Sequence, residues 1–279
     1  MDERKWAKAS SIPADGFLVD LEDSVPPALK EAARAKVVAA VRDGRLFGGR
    51  PVFARPNHPS TEWGEADLAA LGDAGIRKLA LPKVTSAAEV TRILAGYPGP
   101  GRPEVLAIIE TAAAVADVEA IAATPGVVGL LFGAGDLCAD MDIDLRRPDG
   151  TPNEVLLPLR ARCAVAAAAH GLLVGESPFV ADIRDTDQVR ESVSSARRIG
   201  FTTMVAYYPP HIEIINEGMG TSAEQIADAE LVVELYERAR AGGDVAVRTD
   251  GGRVIMVMDY ERARRRLAAA AASPGQPES

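Results

Sequence analysis

The chain has 279 residues and a formal net charge of −9, with 47% hydrophobic residues but only 5% aromatics. That length suits one large α/β domain or two ordinary ones, with a core built from Ala, Val, Leu and Ile. An acidic chain with no Lys/Arg block interleaved with aromatics predicts neither a nucleic-acid groove nor adhesion to an anionic membrane. The two cysteines, Cys138 and Cys163, have no metal-ligand spacing and none of the density of a secreted scaffold, so reduced thiols in a cytoplasmic protein are expected. The start, Met-Asp-Glu-Arg-Lys-Trp, has no apolar run behind it, which predicts no signal peptide, and no stretch is long and apolar enough to span a bilayer.

A helix-like piece, Asp2–Ser10, opens the chain. The apolar run Phe17–Leu21 then enters the acids Asp20, Glu22 and Asp23, followed by prolines and a helix over 28–41. A short strand ending in acids and feeding a helix is a βα unit. The strand 51–54 leads into Arg55-Pro-Asn-His-Pro-Ser-Thr and a short helix through Asp67 and Leu71. Strand 78–81 runs into Pro82-Lys83 and a helix opened by Thr85 or Ser86, with Glu89 at capping-box spacing from Ser86. Strand 105–109 stops at Glu110-Thr111 before an Ala-rich helix ending near Ala123. Strand 127–132 ends in Gly133-Ala134-Gly135-Asp136. A helix over 154–170 precedes strand 172–174, and a helix over 187–199, closed by Gly200, precedes strand 202–206.

These seven strand candidates are near-continuous apolar runs separated by helices, the pattern of a parallel sheet buried on both faces. The number of units favours a TIM-type (β/α)8 barrel over a doubly wound sheet. No Gly-x-Gly-x-x-Gly or Gly-Lys-Ser/Thr loop supports a nucleotide fold. The barrel's first strand is missing or replaced. Arg253–Met258, after the turn Asp250-Gly-Gly, is either a closing strand or an arm that packs on another subunit. The expected organisation is therefore a barrel over 1–245, a C-terminal strand and helix over 246–272, and a disordered tail over 273–279.

Active sites of such barrels lie at the carboxyl ends of the strands. Glu110 and Asp136 each directly follow a strand on successive units. Neighbouring strands lie about 4.8 Å apart, so two such carboxylates can share a hard cation, Mg²⁺ or Mn²⁺. Alternatively, Glu110 pairs with Arg55 as a structural bridge, and Asp20 and Glu22 form ordinary salt bridges at a strand end. Gly133, Ala134 and Gly135 permit a close approach of ligand to backbone. Arg55 offers a rigid fork to a carboxylate or a developing enolate oxygen, with Lys83 and Arg77 as alternatives. Of the three histidines, His170 reads as a residue complementing a helix C-terminus. His58 and His211 are the bases that titrate near neutrality.

The motifs Val19-Asp-Leu-Glu-Asp-Ser-Val25, Ala54-Arg-Pro-Asn57 with Trp63-Gly64, Leu81-Pro-Lys-Val84, Ile108-Ile-Glu-Thr111, Phe132-Gly-Ala-Gly-Asp-Leu137, Gly175-Glu-Ser-Pro-Phe179 and Pro209-Pro-His-Ile212 stand in that order. Together they resemble the HpcH/HpaI aldolase and citrate lyase beta-subunit family, in its malyl-CoA-lyase-like branch. The resemblance implies Mg²⁺ held by Glu110 and Asp136, with Arg55 against the keto-acid part and its enolate oxygen. Glu22, Asp23, Pro82, Gly133, Ala134 and Gly135 would line the substrate. It also implies carbon–carbon cleavage or formation through an enolate, on a small keto or hydroxy acid or a coenzyme A thioester, in a homotrimer or hexamer. Four places depart from the family pattern. The opening strand with its basic residue beside the coenzyme A phosphates is absent, and Gly135 replaces an acid. Tyr208-Pro-Pro-His211 replaces His-Pro-x-Gln, and Met256 stands where an acid/base carboxylate is usual. His211, then Asp259, are the candidates for proton transfer. The alternative to a lyase is a catalytically degenerate keto-acid and metal binder, or a structural member of the family.

Overall fold

The computed structural model describes residues 6, 8–43, 45–249 and 251–272. The described part separates into two compact units, 1–214 and 215–279. In the first, β1 (Phe17–Asp20), β2 (Val52–Arg55), β3 (Lys78–Leu81), β4 (Glu104–Ile109), β5 (Val127–Phe132), β6 (Leu173–Glu176) and β7 (Thr203–Met204) form one parallel sheet in chain order. All seven expected strands are present. The sheet is open and curled, an incomplete barrel, because among the described residues no strand pairs with the outer edge of β1 or of β7.

Helices α1 (Lys30–Asp43), α2 (Gly64–Asp73), α3 (Ala87–Gly96), α4 (Ala112–Ala116), α5 (Val118–Ala122), α6 (Ala134–Asp140), α7 (Leu156–His170) and α8 (Thr186–Arg198) alternate with the strands. Ser86 caps α3 by accepting the Glu89 N–H, as the spacing predicts. The Ala-rich helix after β4 breaks at Asp117, whose carboxylate accepts the Ala87 N–H instead of continuing the helix.

The apolar strands carry two different faces at a period of two. Val19, Leu79, Leu81, Val105, Ala107, Ile109, Leu130, Phe132 and Val174 join the large core shared with the helices. Ala80, Leu106, Ile108 and Leu131, with Leu18, Phe53, Val128 and Val205, form a smaller cluster on the opposite, inner face. Side chains that continue the inner set past the strand ends therefore emerge inside the curl.

Among the described residues no strand precedes β1. The approaching segment is held instead by Arg50, whose guanidinium donates to the carbonyls of Ala9, Ser10, Ile12 and Ala14, while its Nε donates to Phe47. The other part of the expected opening helix, residues 2–5 and 7, lies outside the described residues, as do Asp250 of the Gly-rich turn and the expected tail 273–279.

Helix α9 (His211–Met219) spans the division between the units. The second unit, which begins at 215 rather than at 246, contains α10 (Ala223–Ala241), the antiparallel hairpin β8 (Ala246–Arg248) with β9 (Val254–Met256), and α11 (Val257–Ala272). Its own core joins Ala229, Val232, Tyr236, Ile255, Tyr260 and Ala263, with Tyr236 and Tyr260 stacked at 4.9 Å. The run 253–258 is therefore not a closing strand of the barrel. Its β-branched residues pair with β8, and the chain turns into α11 at Val257.

Candidate active site

Period-two alternation builds the site. Leu18 leads to Asp20, Phe53 to Arg55, Ile108 to Glu110 and Leu131 to Gly133, so each polar residue continues the inner face. Arg55 grips Asp20 with two parallel bonds, Nε to Oδ1 and Nη2 to Oδ2, both 2.6 Å. Its third nitrogen, Nη1, stands 3.4 Å from Glu22 Oε2. The salt-bridge reading of Asp20 and Glu22 thus holds, and the bridge of Arg55 to Glu110 is not formed. Burial works to raise the Asp20 carboxyl, but the hydrogen bonds and charge of Arg55 outweigh it and hold it below its ordinary value.

Lys83, considered in the sequence only as a stand-in for Arg55, proves central. It has φ +51°, a left-handed conformation that a non-Gly residue adopts at a cost. That conformation aims its backbone N–H at Glu110 Oε1 (2.7 Å), while its ammonium meets Glu22 Oε1 (2.9 Å) and Asp23 Oδ1 (3.4 Å). The preceding Pro82, expected to touch substrate, is buried. A basic residue directly after an apolar strand was the signal available in the sequence.

Glu110 is 3% exposed. Burial above all pushes its carboxyl up to about 7. The Lys83 N–H and Arg55 oppose that shift, while the negative charges of Asp136 and Glu22 add to it. Asp136 sits in the first turn of α6, three residues after Gly133, and its negative charge is among the causes that raise Glu110. A Cβ at Gly133 would meet Glu110 Cβ at 2.6 Å and Oε2 at 2.8 Å, so only glycine leaves that oxygen room. Ala134 is buried and starts α6. Gly135 is exposed, and a Cβ there would meet nothing within 4 Å. Two oxygen-donor carboxylates, one buried and costly to ionise alone, fit a hard divalent cation that keeps further positions for other oxygen ligands. Among the described residues no group of three or more His, Cys, Asp or Glu is placed to hold a metal ion, so this pair would need further oxygen ligands from outside the chain's acids.

Glu22 is buried, and its Oε2 receives no hydrogen bond. Burial raises its carboxyl, against the opposing influence of Lys83 and Arg55.

The three candidate bases each have partners of their own. His211 is 1% exposed. Its Nε2 lies 2.7 Å from the Ile183 carbonyl, a contact that assigns the proton to Nε2, and its ring meets Tyr208 edge-on. Asp259 belongs to the second unit and caps the start of α11, accepting the Met256 N–H (3.1 Å) and Arg262 Nη2 (2.9 Å). His58 is engaged by Ser60 at Nδ1 (2.8 Å) and stands 3.3 Å from Glu89 at Nε2. Glu176 follows Val174 and so continues the outer face, where Arg160 of α7 binds it bidentately between Phe179 and Phe201. That buried pair ties sheet to helix layer rather than serving the mouth.

The family model of HpcH/HpaI aldolase/citrate lyase matches residues 3–209. The chain is 31% identical over 270 residues to a (3S)-malyl-CoA thioesterase of Cereibacter sphaeroides, covering 97% of this chain and 91% of that relative. Among solved structures, protein CitE of Mycobacterium tuberculosis in complex with magnesium, acetoacetate and coenzyme A is 30% identical. It aligns with a TM-score of 0.79 over 96% of this chain and 94% of that one. The citrate lyase beta subunit of the same organism, complexed with oxaloacetate and magnesium, is 33% identical with a TM-score of 0.67, covering 77% and 91%.

Proposed function

This chain belongs to the HpcH/HpaI aldolase/citrate lyase family, and we propose that it is a Mg²⁺-dependent carbon–carbon lyase acting on a short β-hydroxy acid or its coenzyme A thioester. The observation that carries this reading is the joining of Glu110, Lys83, Glu22 and Arg55 into one bonded group beside Asp136. Glu110 and Asp136 would hold Mg²⁺ (or Mn²⁺), which supplies the Lewis acidity that polarises a keto-acid carbonyl. Arg55, already oriented by Asp20, has Nη1 left to meet a substrate carboxylate or a developing enolate oxygen. In the cleavage direction the hydroxyl proton passes to a base, the carbon–carbon bond breaks, and its electron pair becomes the enolate of the departing fragment. Glu22 Oε2, buried, accepting no hydrogen bond and 3.4 Å from Arg55 Nη1, is the atom we assign to receive that proton, in place of His211 and Asp259.

The malyl-CoA thioesterase and the CitE complex with coenzyme A both support a thioester substrate over a free acid. Asp23 and the backbone around Gly133–Gly135 would then line the approach. The buried, unpaired Cys138 and Cys163 support a reducing, cytoplasmic setting. No helix among the described residues is long and apolar enough to cross a membrane. The exposed Val245, Val254, Met256, Val257 and Met258 of the second unit support self-association, as a homotrimer or hexamer.

Calorimetry with Mg²⁺ and then oxalate or pyruvate tests the site. A panel of short hydroxyacyl-CoA thioesters, read separately for keto-acid and for free-thiol release, tests the chemistry. Ordered binding of Mg²⁺ and keto acid, lost in Glu110→Gln and Asp136→Asn, is expected. Thiol release without keto acid would move the activity from lyase to thioester hydrolase. Glu22→Gln should keep Mg²⁺ binding while turnover falls about a hundredfold or more. Unchanged turnover would remove Glu22 from the mechanism.

A further inference from the structure

Lys30 opens α1 and is only 5% exposed. A buried ammonium is costly unless its donors are all met. Here all three are met by three acceptors: the carbonyls of Leu21 and Glu22, each at 2.8 Å, and Asn57 Oδ1 at 2.6 Å. The indole of Trp63 lies 5.1 Å from the charge.

Among the described residues no carboxylate pairs with Lys30. The balancing charge is relayed through Asn57, whose amide nitrogen donates to Leu21 O (2.9 Å) and to Asp67 Oδ2 (2.6 Å). Asp67, whose side chain is fully buried, also accepts the Asn57 backbone N–H (2.9 Å) and Arg34 Nε (2.6 Å).

The turn after β1 is thus fixed from both sides. Its N–H groups at Glu22 and Ser24 point to the Asp20 carboxylate, at 2.9 and 3.2 Å, and its carbonyls point inward to Lys30. From that turn the Glu22 side chain reaches Arg55 and Lys83, and that of Asp23 reaches Lys83. Asn57 lies two residues after Arg55, so one buried network sets the ends of both β1 and β2. Glu110 directly follows β4 and Asp136 lies in the first turn of α6; neither bonds to Lys30, Asn57 or Asp67, and Glu110 meets Glu22 only through Lys83.

We propose that Lys30, through Asn57, is a positioning residue for the substrate-facing half of the site, holding Glu22 and Arg55 in register while leaving the metal-holding half untouched. This inference rests on the function proposed above. A purely structural lysine would lower stability alone. A positioning lysine must also split the ligand affinities.

The test is calorimetry on full-length wild type, Lys30→Met, Lys30→Arg and Asn57→Ala, with Mg²⁺ alone and then with oxalate in saturating Mg²⁺. Lys30→Arg keeps the charge, but its planar fork cannot reproduce three bonds from one nitrogen. In the variants the Mg²⁺ dissociation constant should stay within about twofold of wild type, while that of oxalate rises by roughly tenfold or more. Combining Lys30→Met with Asn57→Ala should weaken oxalate no further than the worse single change, because both cut one device. Variants that bind Mg²⁺ and oxalate as wild type does would overturn the inference. So would loss of Mg²⁺ binding in both Lys30 variants, which would make Lys30 a general folding element. A wild-type protein that binds neither ligand refutes the proposed function instead, and so the two failures are told apart.

Discussion

Replacing Glu110 by Gln should make the metal-free protein more stable at high pH while abolishing its response to Mg²⁺. The reasoning follows from the cost of ionising a buried carboxylate. An upward displacement from the ordinary 4.5 to about 7 corresponds to about 3 kcal/mol against the charged form. The folded state holds this proton more tightly than the unfolded chain. The resulting stability is fully present below the unfolded value of 4.5, and is lost as pH rises through 7. Gln can still accept the Lys83 N–H and carries no titrating group. Between pH 5 and pH 8 the metal-free wild type should therefore lose about 2.5 kcal/mol relative to Glu110→Gln.

Urea unfolding of both proteins in chelator at the two pH values measures this difference. Mg²⁺ takes the place of the proton, so at a hundredfold excess over its dissociation constant it should restore about 2.7 kcal/mol to wild type at pH 8 and nothing to the variant. At pH 6, Mg²⁺ binding by wild type should release close to one proton, read as a difference in calorimetric heat between two buffers of unlike ionisation enthalpy. Parallel pH–stability curves for the two proteins, together with Mg²⁺ binding that releases no proton, would refute the reasoning.

Arg55→Lys should retain Mg²⁺ binding but lose about a hundredfold or more in kcat/KM, since a point charge cannot hold Asp20 bidentately and still present a nitrogen to substrate; steady-state kinetics beside calorimetry shows it. Gly133→Ala should weaken Mg²⁺ at least about tenfold and cost about 1–3 kcal/mol of stability, because the new Cβ falls 2.6 Å from Glu110 Cβ, an atom with no rotamer to escape into. Light scattering at micromolar concentration should give a mass of at least three chains, and a mass near 29.3 kDa would contradict the proposed assembly.

The sheet was legible because hydrophobic burial on both faces writes itself as continuous apolar runs between helices, and each of its seven strands lies at or within a few residues of its expected place. The closing strand was not legible. Val254–Met256 has β-forming residues whatever its partner, and the choice of β8 over β7 is made by tertiary packing that local pattern does not encode. The surroundings of the histidines were not legible either: residue type says nothing of a ring's partners, and His211 is buried against Tyr208 and the Ile183 carbonyl.

Alternation separates the acids better than residue type does. Glu110 and Glu176 both end or follow apolar strands, and both are buried and raised by burial. Glu110 continues Leu106 and Ile108 of the inner cluster, whereas Glu176 continues Val174 of the helix-covered core. One step in a two-residue period thus turns one glutamate to the mouth and the other to Arg160, where its charge is neutralised by a bidentate partner. Lys30 was invisible by the same logic inverted. Its place at the start of a helix reads as solvent-facing, and only the inward turn of the Leu21 and Glu22 carbonyls makes a buried cation there cheaper than its absence. A site on this fold is therefore assembled from residues whose faces can be counted along each strand, and held by residues whose partners lie on other strands.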